Sequence, residues 1–213
     1  MARKVFFSFD YKDVASFRAN VIRNSSRFRG KNEGYIIDSS IWESAQTKGT
    51  AKIKEIIDQG LHGSSVSAVI IGSNTAERRW VKYEIFQSFA RGNGLLGIYV
   101  NKIPDKFGFT CAKGNNPFDR LGIRVSLDGR TLECFELVDG KWKLFPDLPV
   151  IRNSRSNTKY MGSGGWFSEG TFGKFFKLSC FFSTYCWDYD QGYQNIANWV
   201  EKAYDEAKTE YTY

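Results

Sequence analysis

Three short, almost wholly apolar runs limit what this chain can fold into. They are Lys4–Phe9 (Lys-Val-Phe-Phe-Ser-Phe), Val66–Ile71 (Val-Ser-Ala-Val-Ile-Ile) and Leu95–Val100 (Leu-Leu-Gly-Ile-Tyr-Val). A strand with one face in water alternates apolar and polar residues. A run without alternation is buried on both faces, as at the centre of a parallel sheet. Parallel strands need crossovers, and helical spacing appears between the runs. Val14, Phe17, Val21 and Ile22 recur at that spacing, with Asp13 placed to cap the helix. The polar stretch Asn24–Gly34 reads as a loop and Tyr35–Ile37 as a short strand. A second helix is predicted over Thr50–Gln59, with Ile53, Ile56 and Ile57 inward and Gly60 near its end. A third covers Ala76–Arg91 and stops at Gly92-Asn93-Gly94. The order β-α-β-α-β-α-β implies a mostly parallel, doubly wound α/β sheet.

The second half has a different pattern. Ile123–Leu127 and Thr131–Leu137 flank Asp128-Gly129, a hairpin signal, and Lys141–Phe145 follows Asp139-Gly140 as a third strand. These strands are expected as an antiparallel addition to the edge of the sheet. Asn153–Gly170, rich in Ser, Gly and Asn, reads as a mobile loop. Phe172–Trp187 fits strand or helix. Gln191–Lys208 reads as a helix with Ile196, Trp199, Val200 and Tyr204 at helical spacing. The expected organisation is an α/β core over residues 1–120 and a C-terminal extension over 121–213, packed together as one structural unit.

Composition removes several kinds of chemistry. The 213 residues include a single histidine, His62, and four cysteines with no C-x-x-C pair, so a multi-His or Cys-rich zinc site is not expected. His62 precedes Gly63 at a predicted helix end and reads as a helix-end residue rather than a catalytic one. No apolar run approaches the roughly 18 residues needed to span a bilayer, and the opening residues lack the pattern of a signal peptide. A soluble cytoplasmic protein is expected, with no membrane partner. Residues 1–100 carry 15 Lys and Arg against 9 Asp and Glu, whereas 101–213 carry 15 against 14. A basic first half can meet nucleic acid, an anionic nucleotide or an acidic protein. No run of five like charges supports nucleic acid.

In a doubly wound sheet, ligands sit beyond the carboxyl ends of the strands, near the point where strand order reverses. The site walls should therefore include Ser8–Asp10, Asp38–Trp42, Gly72–Thr75 and the helix start that holds Trp80 and Glu84. Trp80 and Glu84 are four residues apart and share a helix face. A carboxylate beside an aromatic wall can stabilise a ribosyl oxocarbenium ion. The alternative is that Trp80 packs in the core while Glu84 pairs with Lys82, Ser88 or Arg91 at the surface. Ser8 and Asp10 can bond a ribose or phosphate-linked group, or Asp10 can cap the next helix. Asp38 can hold a ribose hydroxyl, or Ser40 and Glu43 can form a capping box. No G-x-G-x-x-G or Walker sequence is present.

Taken together, these pieces resemble a known family. The segments are Phe6-Phe7-Ser8-Phe9-x-Tyr11-x-Asp13-Val14, Phe17-Arg18-x-Asn20-Val21-x-Arg23-Asn24, Asp38-x-Ser40-x-Trp42-Glu43, Ser65-Val66-x-x-Val69-x-Ile71-Gly72 and Arg78-Arg79-Trp80-Val81-x-Tyr83-Glu84-Ile85. Gly92-Asn93-x-x-x-Gly97-Ile98, Asn116-Pro117-Phe118-Asp119 and Trp187-x-x-Asp190-x-Gly192-Tyr193 continue the pattern. The chain is similar, over nearly its whole length, to the TIR-like proteins of bacterial Thoeris anti-phage defence. The resemblance implies a flavodoxin-like TIR fold and an NAD glycohydrolase or ADP-ribosyl cyclase activity. NAD would be the substrate and no cofactor would be required. The product would be a cyclic or modified ADP-ribose signal that activates a partner effector, with a phage component as trigger and a homo-oligomer as a further expectation.

Carried over by position, Glu84 is the catalytic glutamate of a W-x-x-x-E pattern. Phe6, Phe7, Ser8, Asp10, Asp38, Trp42, Ser73 and Trp80 would border the NAD pocket. Members of the family often have His at the position of Asp10, and this departure bears on the product. Nicotinamide is cationic in NAD and leaves as a neutral base, so the step needs no proton donor, in keeping with a single histidine. Many TIR folds act by assembly alone, and a non-catalytic interaction module is the competing expectation.

Overall fold

The structure is a computed structural model that describes residues 3–25, 28, 32–35, 47–153, 167 and 169–208. Asp38, Trp42 and the Ser40–Glu43 capping box lie outside the described residues. So do residues 154–166 and 168 of the expected Asn153–Gly170 loop.

The first apolar run forms β1 (Arg3–Phe9), followed by α1 (Tyr11–Arg23), β2 (Asn32–Tyr35), α2 (Thr50–Leu61), β3 (Val66–Ile71), α3 (Arg79–Ala90) and β4 (Gly94–Tyr99). A late strand, β10 (Thr184–Cys186), joins the same sheet. Its order is β10-β4-β3-β1-β2, and each adjacent pair is parallel. Strand order reverses at β1 and β3, so the switch point of this flavodoxin-like sheet lies between them.

Strand periodicity divides the core in two. Val5 and Phe7 of β1 pack with Ala19 and Ile22 of α1 and with Ile196, Trp199 and Val200 of α4 (Gly192–Glu206). Phe6 points the other way, into a cluster with Ile53 and Ile57 of α2 and Ile85, Phe86 and Phe89 of α3. All six residues of β3 and of β4 are buried, which explains why their sequences show no alternation.

The antiparallel addition differs from its expected place. β5 (Leu121–Val125), β6 (Thr131–Val138), β7 (Lys141–Leu144), β8 (Val150–Arg152) and β9 (Phe175–Lys177) do not extend the parallel sheet. They form a second sheet ordered β7-β6-β5-β9, with β8 also paired to β6. Its inner residues Ile123, Leu132, Cys134 and Ile151, with Phe145 just after β7, belong to the same buried cluster as Phe86 of α3. The addition therefore lies over the helical layer, and the sheet edge is taken by β10. At the β6–β7 turn Asp139 and Gly140 both have positive φ, 50° and 74°, the conformation of a two-residue hairpin that Asp-Gly accommodates.

Other boundaries moved for local reasons. β2 begins at Asn32, inside the expected loop, because its main chain pairs with Arg3–Phe6 despite weak strand residues. α1 begins at Tyr11, so Asp13 falls in its first turn rather than at the cap. Phe17, expected on the inner face, is 45% exposed. Phe172–Trp187 becomes two three-residue strands separated by a 3-10 turn over Leu178–Cys180, too short for any periodicity to register.

Candidate active site

Residues of β1 alternate sides, so Phe6, Ser8 and Asp10 point toward the layer that holds α3. Across the switch point, β3 ends at Ile71 and the chain turns through Gly72. Thr75 closes that turn: its Oγ1 accepts from the Gly72 N–H at 3.0 Å and donates to the Ile70 carbonyl at 3.3 Å. A 3-10 turn, Thr75–Glu77, and an extended Arg78 (φ −77°, ψ 120°) then lead into α3. The single helix expected over Ala76–Arg91 is broken here, and Arg78 lies at its non-helical cap position.

The break orients Arg78 toward β1. Its Nε donates to Asp10 Oδ2 at 2.6 Å, which ties the start of α3 to the end of β1. The negative charge of the buried Asp10 is thus paired with a cation.

One and a half turns further along α3, Glu84 is buried, with 6% of its surface exposed. Ser8, itself buried, donates from Oγ to Glu84 Oε2 at 2.5 Å. Burial pushes the Glu84 carboxyl up to about 8, while the Ser8 hydrogen bond acts in the opposite direction. The surface pairing considered for Glu84 does not occur. Lys82 pairs with Glu136 at 2.8 Å, and Arg91 lies 3.6 Å from Asp58. Ser88 meets the main-chain carbonyl of Glu84, not its carboxyl group.

Ser88 belongs to a polar ladder that the sequence reading missed. Its Oγ lies 2.6 Å from the Glu84 carbonyl and 2.8 Å from Ser67 Oγ. A hydroxyl has one hydrogen, so Ser88 donates to the carbonyl and Ser67 donates to Ser88. Asn93 Nδ2 then reaches Ser64 Oγ at 2.8 Å and Ser67 Oγ at 3.4 Å. The signal available in the sequence was Ser67, a hydroxyl inside an otherwise apolar central strand, which must find a partner when buried.

The remaining candidates are not all brought together. Phe6 shares the Ser8 side, but Phe7 points to the opposite core, 5.3 Å from the Phe28 ring. Trp80 is half-buried, edge-on to Tyr83 at 6.1 Å, with the Arg79 guanidinium 4.6 Å over its ring. Ser73 donates from Oγ to the Ala112 carbonyl at 3.1 Å. The segment around Gly114 lies so close to this turn that a Cβ there would stand 2.0 Å from the Gly72 carbonyl oxygen. Two cavities lie elsewhere. One of about 680 Å³ is beside the β5–β6 hairpin, and one of about 230 Å³ is near Lys4 and His62 at the amino ends of the strands. Neither is lined by Ser8 or Glu84, and the chemistry of the buried carboxylate outweighs their size in locating the site.

A flavodoxin-like sheet with a W-x-x-x-E helix at its switch point defines a TIR-like protein. Residues 6–105 match the family model of the Thoeris protein ThsB, TIR-like domain. The chain is also 40% identical over 201 residues to a protein of Bacillus cereus (strain MSX-D12) named "Putative cyclic ADP-D-ribose synthase ThsB1", covering 94% of this chain and 100% of that one. The chain belongs to the Thoeris ThsB family. No helix among the described residues is long and apolar enough to cross a membrane.

Proposed function

We propose that this protein cleaves the bond between nicotinamide and ribose in NAD and forms a cyclic or otherwise modified ADP-ribose, with Glu84 as the catalytic carboxylate. The observation that carries the reading is the buried Ser8–Glu84 pair at the switch point, in a chain 40% identical along its length to a relative named as a cyclic ADP-D-ribose synthase. When the C–N bond breaks, its electron pair leaves with nicotinamide, which becomes neutral. The ribose carbon is left as an oxocarbenium ion, and an ionised Glu84 offsets that charge. A hydroxyl of the second ribose then attacks and closes the ring, and its proton passes to the carboxylate. Water in place of that hydroxyl gives open ADP-ribose, so exclusion of water selects the product.

Phe6, Ser8, Asp10, Ser73 and Trp80 surround this position in our reading, with Asp38 and Trp42 contributed by the segment after β2. Phe7 acts from behind, by packing β1. NAD is the substrate, the product signals to an effector, and a phage component is the trigger. The close fit around Glu84 supports a resting state of low turnover. Residues 1–120 form the TIR-like core and 121–213 an extension that joins it in one unit. The shared buried cluster and the contribution of β10 to the parallel sheet support the single unit.

The test is to incubate purified protein with NAD, with and without extract of infected cells, and to measure nicotinamide and nucleotide products. Nicotinamide release that Glu84→Gln leaves unchanged would sink the assignment.

A further inference from the structure

α3 carries both Trp80 and Glu84, and its outer side is held by the second sheet. That hold converges on Asp147, between β7 and β8. The Asp147 side chain is only 4% exposed, yet it meets two cations. Arg79 reaches it with two prongs, Nε to Oδ2 at 2.6 Å and Nη2 to Oδ1 at 2.7 Å. Lys54 of α2 donates to the Asp147 carbonyl at 2.7 Å and lies 3.3 Å from Oδ1. The Arg79 hydrogen bond, with help from Lys54, holds the Asp147 carboxyl below its usual range, so it stays ionised at neutral pH.

The same guanidinium lies 4.6 Å over the Trp80 ring. A forked contact fixes the plane of the guanidinium, and a fixed plane sets the ring that stacks on it. Trp80 in turn meets Tyr83 edge-on, and Lys54 Nζ sits 5.2 Å from the Tyr83 ring. One carboxylate, two cations and two rings therefore form a closed cluster one helical turn before Glu84. Arg79 is itself 55% exposed, and the buried Asp147 carboxylate is what fixes its direction. Its effect is on orientation.

We propose that Asp147 is a positioning residue: acting through Arg79, it fixes the Trp80 ring against the first turn of α3. The inference rests on the reading that Trp80 walls the site where Glu84 acts. It gives the second sheet a role in the reaction without any contact with substrate. Small misplacements of a site wall lower turnover by large factors.

The test uses Asp147→Asn, Arg79→Lys and the double variant in the full chain, labelled with 5-fluorotryptophan. The Trp80 resonance is assigned by its loss in Trp80→Phe. Both single variants should shift or broaden that resonance and lower kcat for NAD by about tenfold, and the double variant should go no further than either single one. A Trp80 resonance unmoved in both single variants overturns the proposal, and so do losses that multiply. Thermal unfolding checks the fold. If Asp147→Asn fails to fold, Arg79→Lys, which keeps a cation beside Asp147, carries the same expectation. The fluorine spectrum needs no turnover, so failure of the Glu84 assignment is seen separately, as equal activity of wild type and Glu84→Gln.

Discussion

Glu84 lies under two opposing influences, and their balance sets the charge it carries. Burial raises its carboxyl to about 8, and Ser8 pulls it down. In the free protein at pH 7 the group is mostly the neutral acid. A cationic nicotinamide ring beside it favours the carboxylate. NAD cleavage under kcat/KM conditions should therefore rise with pH through about 8, with the inflection lower in kcat. Ser8→Ala removes the downward pull and should move the inflection in kcat/KM upward; an unmoved pH profile contradicts the role given to Ser8. Stability runs in the opposite direction. The folded group titrates above its unfolded value of 4.5, so its contribution is complete below about 4.5 and is lost as pH rises through about 8. Glu84→Gln should remove that part of the decline, as measured by urea unfolding at pH 5 and pH 9. The sequence marked Glu84 as a candidate through its spacing from Trp80, which left a surface pairing open, and through the family resemblance. It could not show the burial or the serine, because spacing along one helix says nothing about the strand opposite, 76 residues away.

At the scale of elements, α3 is held from both sides. Toward the sheet, the Ser67–Ser88–Asn93 ladder pins it to β3 and to the following turn. Ser88→Ala should cost about 1–3 kcal/mol, since it takes away the acceptor of the buried Ser67 hydroxyl. Toward the second sheet, the buried Phe86 ring lies 5.3 Å from Phe145. Phe86→Ala should cost about 3–5 kcal/mol, the range for an emptied aromatic site. Urea midpoints of the two variants check both values, and a Phe86→Ala loss below that for Ser88→Ala would contradict this packing. Helix periodicity predicted α3 but not its broken start. The ion pair of Arg78 with Asp10, and the turn closed by Thr75, depend on a strand end that local pattern does not contain. β3 and β4 were legible because burial on both faces leaves a continuous apolar run. β10 was not, because three residues carry too little pattern.

For the whole molecule, the C-terminal residues complete the parallel sheet as well as cover it. β10 pairs with β4, and α4 buries Trp199 and Val200 against the face that includes Leu96 and Ile98. A chain cut after residue 120 would expose those residues and the unpaired edge of β4. It should show no cooperative unfolding transition in circular dichroism, and a cooperative one would contradict the single unit. The uneven positive charge takes on a specific structural meaning here. Arg78, Arg79 and Lys82 at the start of α3 are engaged with Asp10, Asp147 and Glu136, so part of the basic first half serves to hold the site together. The central claim is that one buried glutamate turns NAD into a signal, and mass spectrometry of metabolites from phage-infected cells tests it most directly. Cells carrying the wild-type protein should accumulate a cyclic or modified ADP-ribose that cells carrying Glu84→Gln lack. The same nucleotide at the same level in both would contradict the account.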